Sequence, residues 1–243
     1  MDDFQIQKCS SKYLLDIKKK LFVVYIIKIM LKILITSGPT REYIDPVRFI
    51  SNASSGKMGL EIVKAAIKKK IKVILVKGPC DIQIKAANCK VIDVVSAKDM
   101  LSAVKQNLKD ADIFIGAAAV ADYKPLTVSK NKIKKTSDNL TLTLTKNADI
   151  ISYVSKHRKK GQTVIGFALE SKNLISYAKE KLQKKNLDMI VANGVGTIGS
   201  DTSKPIFLFK DGKMKKLQSA TKKFVAKEII NEAIRLSSNN KVS

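Results

Sequence analysis

The stretch Thr36–Gly59, TSGPTREYIDPVRFISNASSGKMG, decides how this chain is read. It follows Lys32-Ile33-Leu34-Ile35, a hydrophobic run that reads as a buried strand. It leads into apolar positions Leu60, Val63 and Ile67 at helical spacing. A strand that opens into a Gly-, Ser- and Thr-rich loop and then a helix is how α/β proteins hold phosphates. Backbone N–H groups and the positive helix end face the anion, and small residues let it approach. No G-x-G-x-x-G follows the strand, so the loop is not the dinucleotide fingerprint. It is not a Walker loop either, because Gly56-Lys57 lacks the earlier glycine and the Ser or Thr that should follow.

Working outward, strand-like and helical patterns alternate. A helix over about Lys57–Lys70 is followed by the β-branched run Lys72–Lys77, closed by Gly78-Pro79, and by a strand at Val91–Val95. Ala97–Lys109 has Met100, Leu101, Val104 and Leu108 on one helical face, and Asp112–Val120 reads as one continuous strand buried on both sides. After Tyr123–Lys146 the pattern resumes with Thr163–Leu169, a helix over Leu174–Lys185, strands at Asp188–Ala192 and Pro205–Phe209, and a turn at Asp211-Gly212. A last helix carries Val225, Ile229, Ala233 and Leu236, with fraying expected from Ser238. This order predicts an α/β fold: a Rossmann-like, doubly wound, mostly parallel sheet with right-handed crossovers. Ligands in such sheets collect at the carboxyl ends of the strands, where the Ser37 loop and the loop after Val120 emerge.

The segment 123–146 departs from this rhythm. Pro125 and the basic run Lys130–Lys135 have no clear period, and Thr141–Thr145 then alternates strictly, as a strand with one buried face does. We read it as an excursion from the body: a loop followed by an arm able to pair across a subunit boundary.

The 243 residues suit one domain with an appendage, and the net charge of +25 is the unusual feature. Nearly all the excess is lysine spread along the chain, with arginine only at positions 41, 48, 158 and 235, so it reads as solvated surface rather than a nucleic-acid footprint. Cys9, Cys80 and Cys89 form no metal-type pair, and their odd number argues against a disulfide framework and for a reduced, cytoplasmic setting. His157, the one histidine, lies in a lysine-rich helix end, which disfavours a triad hydrolase. Residues 1–29 read as a disordered or mis-annotated extension ahead of Met30, because the apolar run Leu21–Ile27 is too short to span a bilayer. Residues 30–243 form the single expected domain.

Beyond the loop, GAAAVADYKP at Gly116–Pro125, KIKK at Lys132–Lys135, KNADI at Lys146–Ile150, GFALE at Gly166–Glu170 and KNLDMIVAN at Lys185–Asn193 stand in one order and spacing. Together these blocks resemble the phosphopantothenate–cysteine ligase family, bacterial type, from Lys32 to about Leu217. The resemblance implies a free-standing enzyme without the fused decarboxylase. It would join phosphopantothenate to L-cysteine through an acyl-nucleotidylate, using CTP rather than ATP, with Mg2+ bridging the triphosphate. It also implies a flexible flap and a dimerising β-extension at about 123–146, a homodimer and a separate phosphopantothenoylcysteine decarboxylase, with neither nucleic acid nor membrane as partner. A basic nucleic-acid-associated protein and a nucleotide-dependent oxidoreductase are the alternatives; the first lacks a recognition motif and the second its fingerprint.

The same resemblance assigns roles. Asn52 would hold the activated acyl group, and Lys132 on the flap would neutralise developing phosphate charge; these are the catalytic pair. Arg48, Asn52, Ala118 and Ala119 would bind substrate. Ala118, Asp122, Asn147, Ala148, Asp149, Ile150, Phe167, Lys181 and Lys185 would bind the nucleotide, while no metal ligands are assigned. Read from the residues alone, Arg48 is equally a surface salt bridge, Asn147 a helix cap and Phe167 core packing. Pro39 stands where the family has glycine, which removes an amide donor from the loop, and Tyr43 and Ala148 depart from common prolines.

Overall fold

The β-branched runs at Lys32–Ser37, Lys72–Lys77 and Met189–Gly194 alternate their side chains between two apolar layers, and both layers are covered by helices. In the computed structural model, residues 31–81, 83–135, 138–197 and 199–241 are described. The expected extension at 1–29, with Cys9, lies outside the described residues. The chain runs through β1 (Lys32–Ser37), β2 (Arg41–Tyr43), β3 (Phe49–Ser51), α1 (Lys57–Lys68), β4 (Lys72–Lys77), β5 (Cys89–Asp93) and α2 (Ala97–Asn107). It continues through β6 (Ile113–Gly116), β7 (Tyr123–Pro125), β8 (Leu144–Lys146), α3 (Ile150–His157), β9 (Thr163–Glu170), α4 (Leu174–Lys184) and β10 (Met189–Gly194). The remainder is β11 (Thr202–Ser203), β12 (Ile206–Phe209), β13 (Met214–Lys216), β14 (Ala220–Thr221) and α5 (Lys222–Asn240).

Eight strands form the central sheet in the order β13-β12-β10-β9-β6-β1-β4-β5. The six from β10 to β5 are parallel, and β12 and β13 add an antiparallel hairpin edge. This is the expected doubly wound, mostly parallel α/β sheet. From β1 the chain winds one way to β4 and β5, then returns to β6 on the other side of β1, which makes the β1/β6 boundary the topological switch point. On one face Ile33, Ile35, Leu75 and Ile115 pack with Val63 of α1 and Ile229 of α5. On the other face Leu34, Val76 and Phe114 pack with Met100 of α2, Val154 of α3 and Ala178 of α4. Each such fully buried aliphatic side chain contributes about 1.5–3 kcal/mol of transfer free energy.

Two close approaches join the loop after β1 to this body. A Cβ on Gly59 would lie 2.1 Å from Ser37 Oγ, so only glycine lets the first turn of α1 cross the end of β1. A Cβ on Gly78 would lie 1.7 Å from the Pro39 carbonyl oxygen. Pro39 itself forms a parallel bridge with Ala119. In that bridge Ala119 N–H donates to Gly38 O at 2.9 Å and Thr40 N–H donates to Ala119 O at 3.3 Å. The missing N–H of Pro39 therefore costs this ladder nothing.

Three local expectations differ from what is seen. The apolar run Asp112–Val120 is strand only over Ile113–Gly116; Ala117–Val120 leaves the sheet and pairs with the loop after β1. Thr141–Thr145 is not a strand with a buried face, since Leu144 is 43% exposed. Its last residues instead form β8, which pairs with β7 of the same chain. Finally, α5 runs to Asn240, past the fraying expected at Ser238. Among the described residues, no helix is long and apolar enough to cross a membrane.

Candidate functional site

Two clefts open at the carboxyl edge of the sheet and share a wall formed by Ala118, Val120, Asp122, Phe167 and Lys181. The first, about 600 Å3, lies at the switch point, where Thr36 and Gly116 line it. The second, about 650 Å3, reaches from Asn52 and the start of α1 to Asn193, Ser203 and Lys222.

The first cleft is built on the start of α3. Asp149 caps that helix by accepting from Ser152 N–H at 2.9 Å, so the cap is Asp149 and not Asn147. Asn147 instead ties the segment to the shared wall: its amide donates to Ala121 O at 2.9 Å and its backbone N–H to Asp122 O at 2.8 Å. Lys181 and Lys185 reach in from α4. Lys181 donates to Phe167 O at 2.9 Å, and Lys185 is paired with Asp149 and donates to Ser152 Oγ at 2.8 Å. Burial lowers the pKa of Lys181, with Glu170 and then Asp122 opposing the shift. Burial likewise lowers Lys185, opposed by Asp122. Buried ammonium groups gain from an anion that can replace lost water, so this wall suits a phosphate chain.

The second cleft is built on the start of α1. Gly56 stands at its N-cap in the left-handed region, φ 71°, and no side chain caps the helix. Gly56, Lys57 and Met58 at this helix start line the cleft, with no acidic residue in the first turn, and Lys57 N–H makes only a long bond to Ser55 Oγ at 3.5 Å. This is the geometry that binds anions at helix starts. Lys57 pairs with Asp201 at 3.0 Å, which holds the Asp201 carboxyl below its usual range. Burial, and then the charge of Lys57, lower the pKa of Lys222. Asn193 Oδ1 and Ser203 Oγ are buried without a hydrogen-bond partner. Buried polar atoms of this kind are normally satisfied, so two on one cleft mark where a ligand or water completes the site.

The proposed site residues fall on both clefts, and Ala118, Asp122, Phe167 and Lys181 line the two together. Ala118, Asp122, Asn147, Ala148, Asp149, Ile150, Phe167, Lys181 and Lys185 all line the first cleft, and Asn52 and Ala119 line the second. The Asn52 amide nitrogen is already committed to Ala119 O at 3.2 Å and Val120 O at 3.0 Å, so the group it offers a ligand is its Oδ1. Arg48 and Lys132 line neither cleft. Arg48 is ion-paired with Asp45 at 2.5 Å, the plain salt bridge that its residue type allowed. Ser54, Lys57, Ser203 and Lys222 were missed; the serines and Lys57 sat in stretches quoted for their turn character or not at all. Lys222 gave no sequence signal beyond being one lysine among many. Asn193 closed a block used only for its resemblance.

Residues 30–236 match the family described as "DNA/pantothenate metabolism flavoprotein C-terminal domain". The chain is 44% identical over 206 residues to the coenzyme A biosynthesis bifunctional protein CoaBC of Haemophilus influenzae, covering 84% of this chain and 51% of that protein. It is 42% identical over 209 residues to CoaBC of Bacillus subtilis, with the same coverage. A third relative, 42% identical and 58% covered, is named a cysteine/cysteine sulfinic acid decarboxylase. The chain thus spans about half the length of the CoaBC relatives it matches. Among solved structures, the C-terminal domain of CoaBC superposes with TM-score 0.75 at 39% identity, covering 86% of this chain and 96% of that one. The DNA/pantothenate metabolism flavoprotein of Streptococcus pneumoniae gives 0.73 at 28%, covering 83% and 97%. The fold, at 18% identity and TM-score 0.73, is shared with a Cab2 mutant in complex with phosphopantothenate-cysteine, covering 95% of each chain.

These findings correct the designation drawn from the motifs. The matching family and relatives are described by a flavoprotein's C-terminal domain and by bifunctional coenzyme A biosynthesis, not as a free-standing phosphopantothenate–cysteine ligase. That designation is replaced by the family's own description. Ligase activity, CTP, the pairing of phosphopantothenate with L-cysteine, a separate decarboxylase partner and the homodimer rested on it and are not carried forward. The Mg2+ expectation also lacks a ligand set, since no group of three or more His, Cys, Asp or Glu among the described residues could hold a metal ion.

The family description raises a flavin, and the first cleft can be tested against it. An isoalloxazine ring needs a continuous apolar slot. Here Lys146, Lys181, Lys185, Asp122 and Asp149 interrupt an apolar lining of Phe114, Val120, Ile151 and Phe167, and a neutral ring laid across the cleft would desolvate those charges without pairing them. The residues do not fit a flavin ring. The description names a flavoprotein's C-terminal domain without assigning the flavin to that part, and this chain matches only half of the bifunctional relatives.

Proposed function

The chain belongs to the DNA/pantothenate metabolism flavoprotein C-terminal domain family, and from that premise we propose that it is an enzyme of coenzyme A biosynthesis. In this reading residues 30–243 form one domain in a cytoplasmic setting, acting on a phosphorylated, pantothenate-derived intermediate with the help of a bound nucleotide. The first cleft takes the nucleotide, with Lys181 and Lys185 on its phosphates and Asn147–Ile150 against its base and ribose. The second takes the phosphorylated intermediate at the start of α1. The observation that carries the reading is the shared wall: Ala118, Asp122, Phe167 and Lys181 face both clefts, so two phosphorylated ligands would meet there.

Each residue's part follows from its chemistry. Lysines offset phosphate charge in a partly dewatered site, where such pairing is worth more than in water. Asn52 accepts through Oδ1 and fixes the backbone of Ala119 and Val120, which sets the shape of the wall. Lys132 supplies a further cation from the basic segment Lys130–Lys135, which lines neither cleft.

One relative's name suggests decarboxylation as a second reading. That relative is covered over only 58% of its length, so its name carries less weight here than the two-cleft geometry. The test is a binding panel of the four nucleoside triphosphates and FMN, with CO2 release measured from phosphopantothenoylcysteine in parallel. We expect nucleotide binding that Lys181→Gln weakens on the order of tenfold, as for a lost charge-assisted bond. Tight FMN binding, or CO2 release without nucleotide, would overturn the reading.

A further inference from the structure

We propose that Asp45 is a positioning residue: together with Arg48 it fastens the basic segment from Ser129 to Ile133 to the turn before β3, and so fixes where Lys132 stands. The Asp45 side chain has no exposed surface. Its Oδ1 accepts from Val47 N–H at 2.9 Å and Arg48 N–H at 2.8 Å. Its Oδ2 accepts from Arg48 Nε at 2.9 Å, from Arg48 Nη2 at 2.5 Å and from Ile133 N–H at 3.2 Å. Arg48 Nη2 also donates to Ile133 O at 2.8 Å. Both backbone groups of Ile133 are therefore held by one ion pair 85 to 88 residues away in sequence. A second stitch, Ser129 N–H to Ile44 O at 2.9 Å, closes the other end of the segment.

The physical need is plain. Lys130, Lys132 and Lys134 are exposed and repel one another, so a free segment of this composition would extend into solvent. Fastening both backbone groups of the next residue holds the Lys132 peptide within about 3.8 Å of a fixed point, the distance between successive Cα atoms. Arg48 suits the task because its planar, rigid fork sets two parallel N–H groups on the Asp45 carboxylate while one of them also reaches the Ile133 carbonyl, a geometry that a flexible ammonium does not hold in advance. The Arg48 guanidinium, then the N–H groups of Val47, Arg48 and Ile133, hold the Asp45 carboxyl well below the usual range against the opposing effect of burial. The fastening thus stays charged throughout the neutral and mildly acid range. Why Lys132 matters rests on the two-cleft reading; the fastening itself does not.

The test uses limited tryptic digestion of the full chain, followed by mass spectrometry. Cleavage after Lys130, Lys132 and Lys134 is compared with cleavage after Lys98, an exposed lysine in α2 that serves as an internal control. Asp45→Asn and Arg48→Lys should each raise cleavage in the segment on the order of tenfold while leaving the control unchanged, as expected for losing charge-assisted hydrogen bonds. Their effects should not add, because both act through Ile133. Arg48→Lys keeps the charge and serves if Asp45→Asn fails to fold. Unchanged cleavage in the segment, or an equal rise at the control, would overturn the proposal. A separate arm adds inorganic pyrophosphate, which should protect the wild-type segment but not that of Lys132→Gln. If the variants loosen the segment as expected and pyrophosphate protects neither protein, the fastening stands and the role given to Lys132 is what fails.

Discussion

The two clefts differ in how much of their chemistry the chain satisfies by itself. In the first, the two cations of α4 already have protein partners: Lys185 has Asp149 and Ser152, and Lys181 has the Phe167 carbonyl. In the second, the start of α1 lacks a side-chain cap, and Asn193 Oδ1 and Ser203 Oγ are buried without partners. The first is arranged in advance, and a ligand there must displace internal bonds in exchange for phosphate contacts. The second is incomplete, and a ligand there supplies bonds that are missing. The same fold edge thus offers one site tuned for exchange and one tuned for completion.

The largest break in this comparison comes where the second cleft's helix crosses the end of β1. Gly59→Ala places a methyl group 2.1 Å from Ser37 Oγ, and the first turn of α1 must move away from β1. Overpacking of this kind costs about 1–3 kcal/mol, partly offset by the gain of about 1 kcal/mol from replacing glycine inside a helix. Chemical denaturation should show a net loss of stability, and phosphate binding at the start of α1 should weaken more than stability does. An unchanged denaturation midpoint together with intact phosphate binding would show that the helix start tolerates displacement.

A middle-sized effect separates the clefts. Lys222→Ala removes a partly buried cation from the second cleft only. Binding of inorganic phosphate should weaken on the order of tenfold, while nucleotide binding in the first cleft stays as it was. Equal losses in both would mean that the effect is bulk charge, which a chain of net charge +25 makes a fair contest.

The smallest effect is a pH dependence. The folded pKa of Lys181 is lowered, chiefly by burial. The unfolded chain then binds more protons between that lowered value and the ordinary lysine value of about 10.4. Stability from this group therefore rises with pH through that window, because the burial penalty on the charge is relieved. Anion affinity runs the opposite way and should fall as pH climbs through the lowered value, earlier than an ordinary lysine would give. Lys181→Arg, which stays protonated, should flatten the fall in a pyrophosphate titration across the alkaline range. The same fall in both proteins would point to another group.

The sequence carried the body of this molecule because period-2 and helical patterns respond to burial, and burial is what the sheet supplies. Strands β1, β4 and β10 and the faces of α1 and α2 were legible for that reason. Asp112–Val120 misled because apolar residues that line a cleft look like apolar residues inside a sheet. Thr141–Thr145 misled because its alternation does not correspond to a buried face in this chain. The first cleft was legible since its residues lie in short contiguous blocks, Ala118–Asp122 and Asn147–Ile150. Much of the second was not, because Lys57, Asn193, Ser203 and Lys222 come together only through the crossing of α1 and α5 over one face of the sheet. Asp45 was likewise silent: an aspartate in a turn announces nothing about a partner 88 residues away.

The most direct test of the two-cleft account is a double titration on one protein sample. Labelled nucleoside triphosphates are titrated with and without saturating phosphopantothenoylcysteine, and FMN is offered as a competitor. The account predicts one nucleotide bound per chain, retained when the second ligand is present and undisturbed by FMN. It also predicts that Lys222→Ala weakens the phosphorylated intermediate and leaves the nucleotide as it was, while Lys181→Gln, on the shared wall, weakens both. Mutual exclusion of the two ligands, or displacement of nucleotide by FMN, would contradict it.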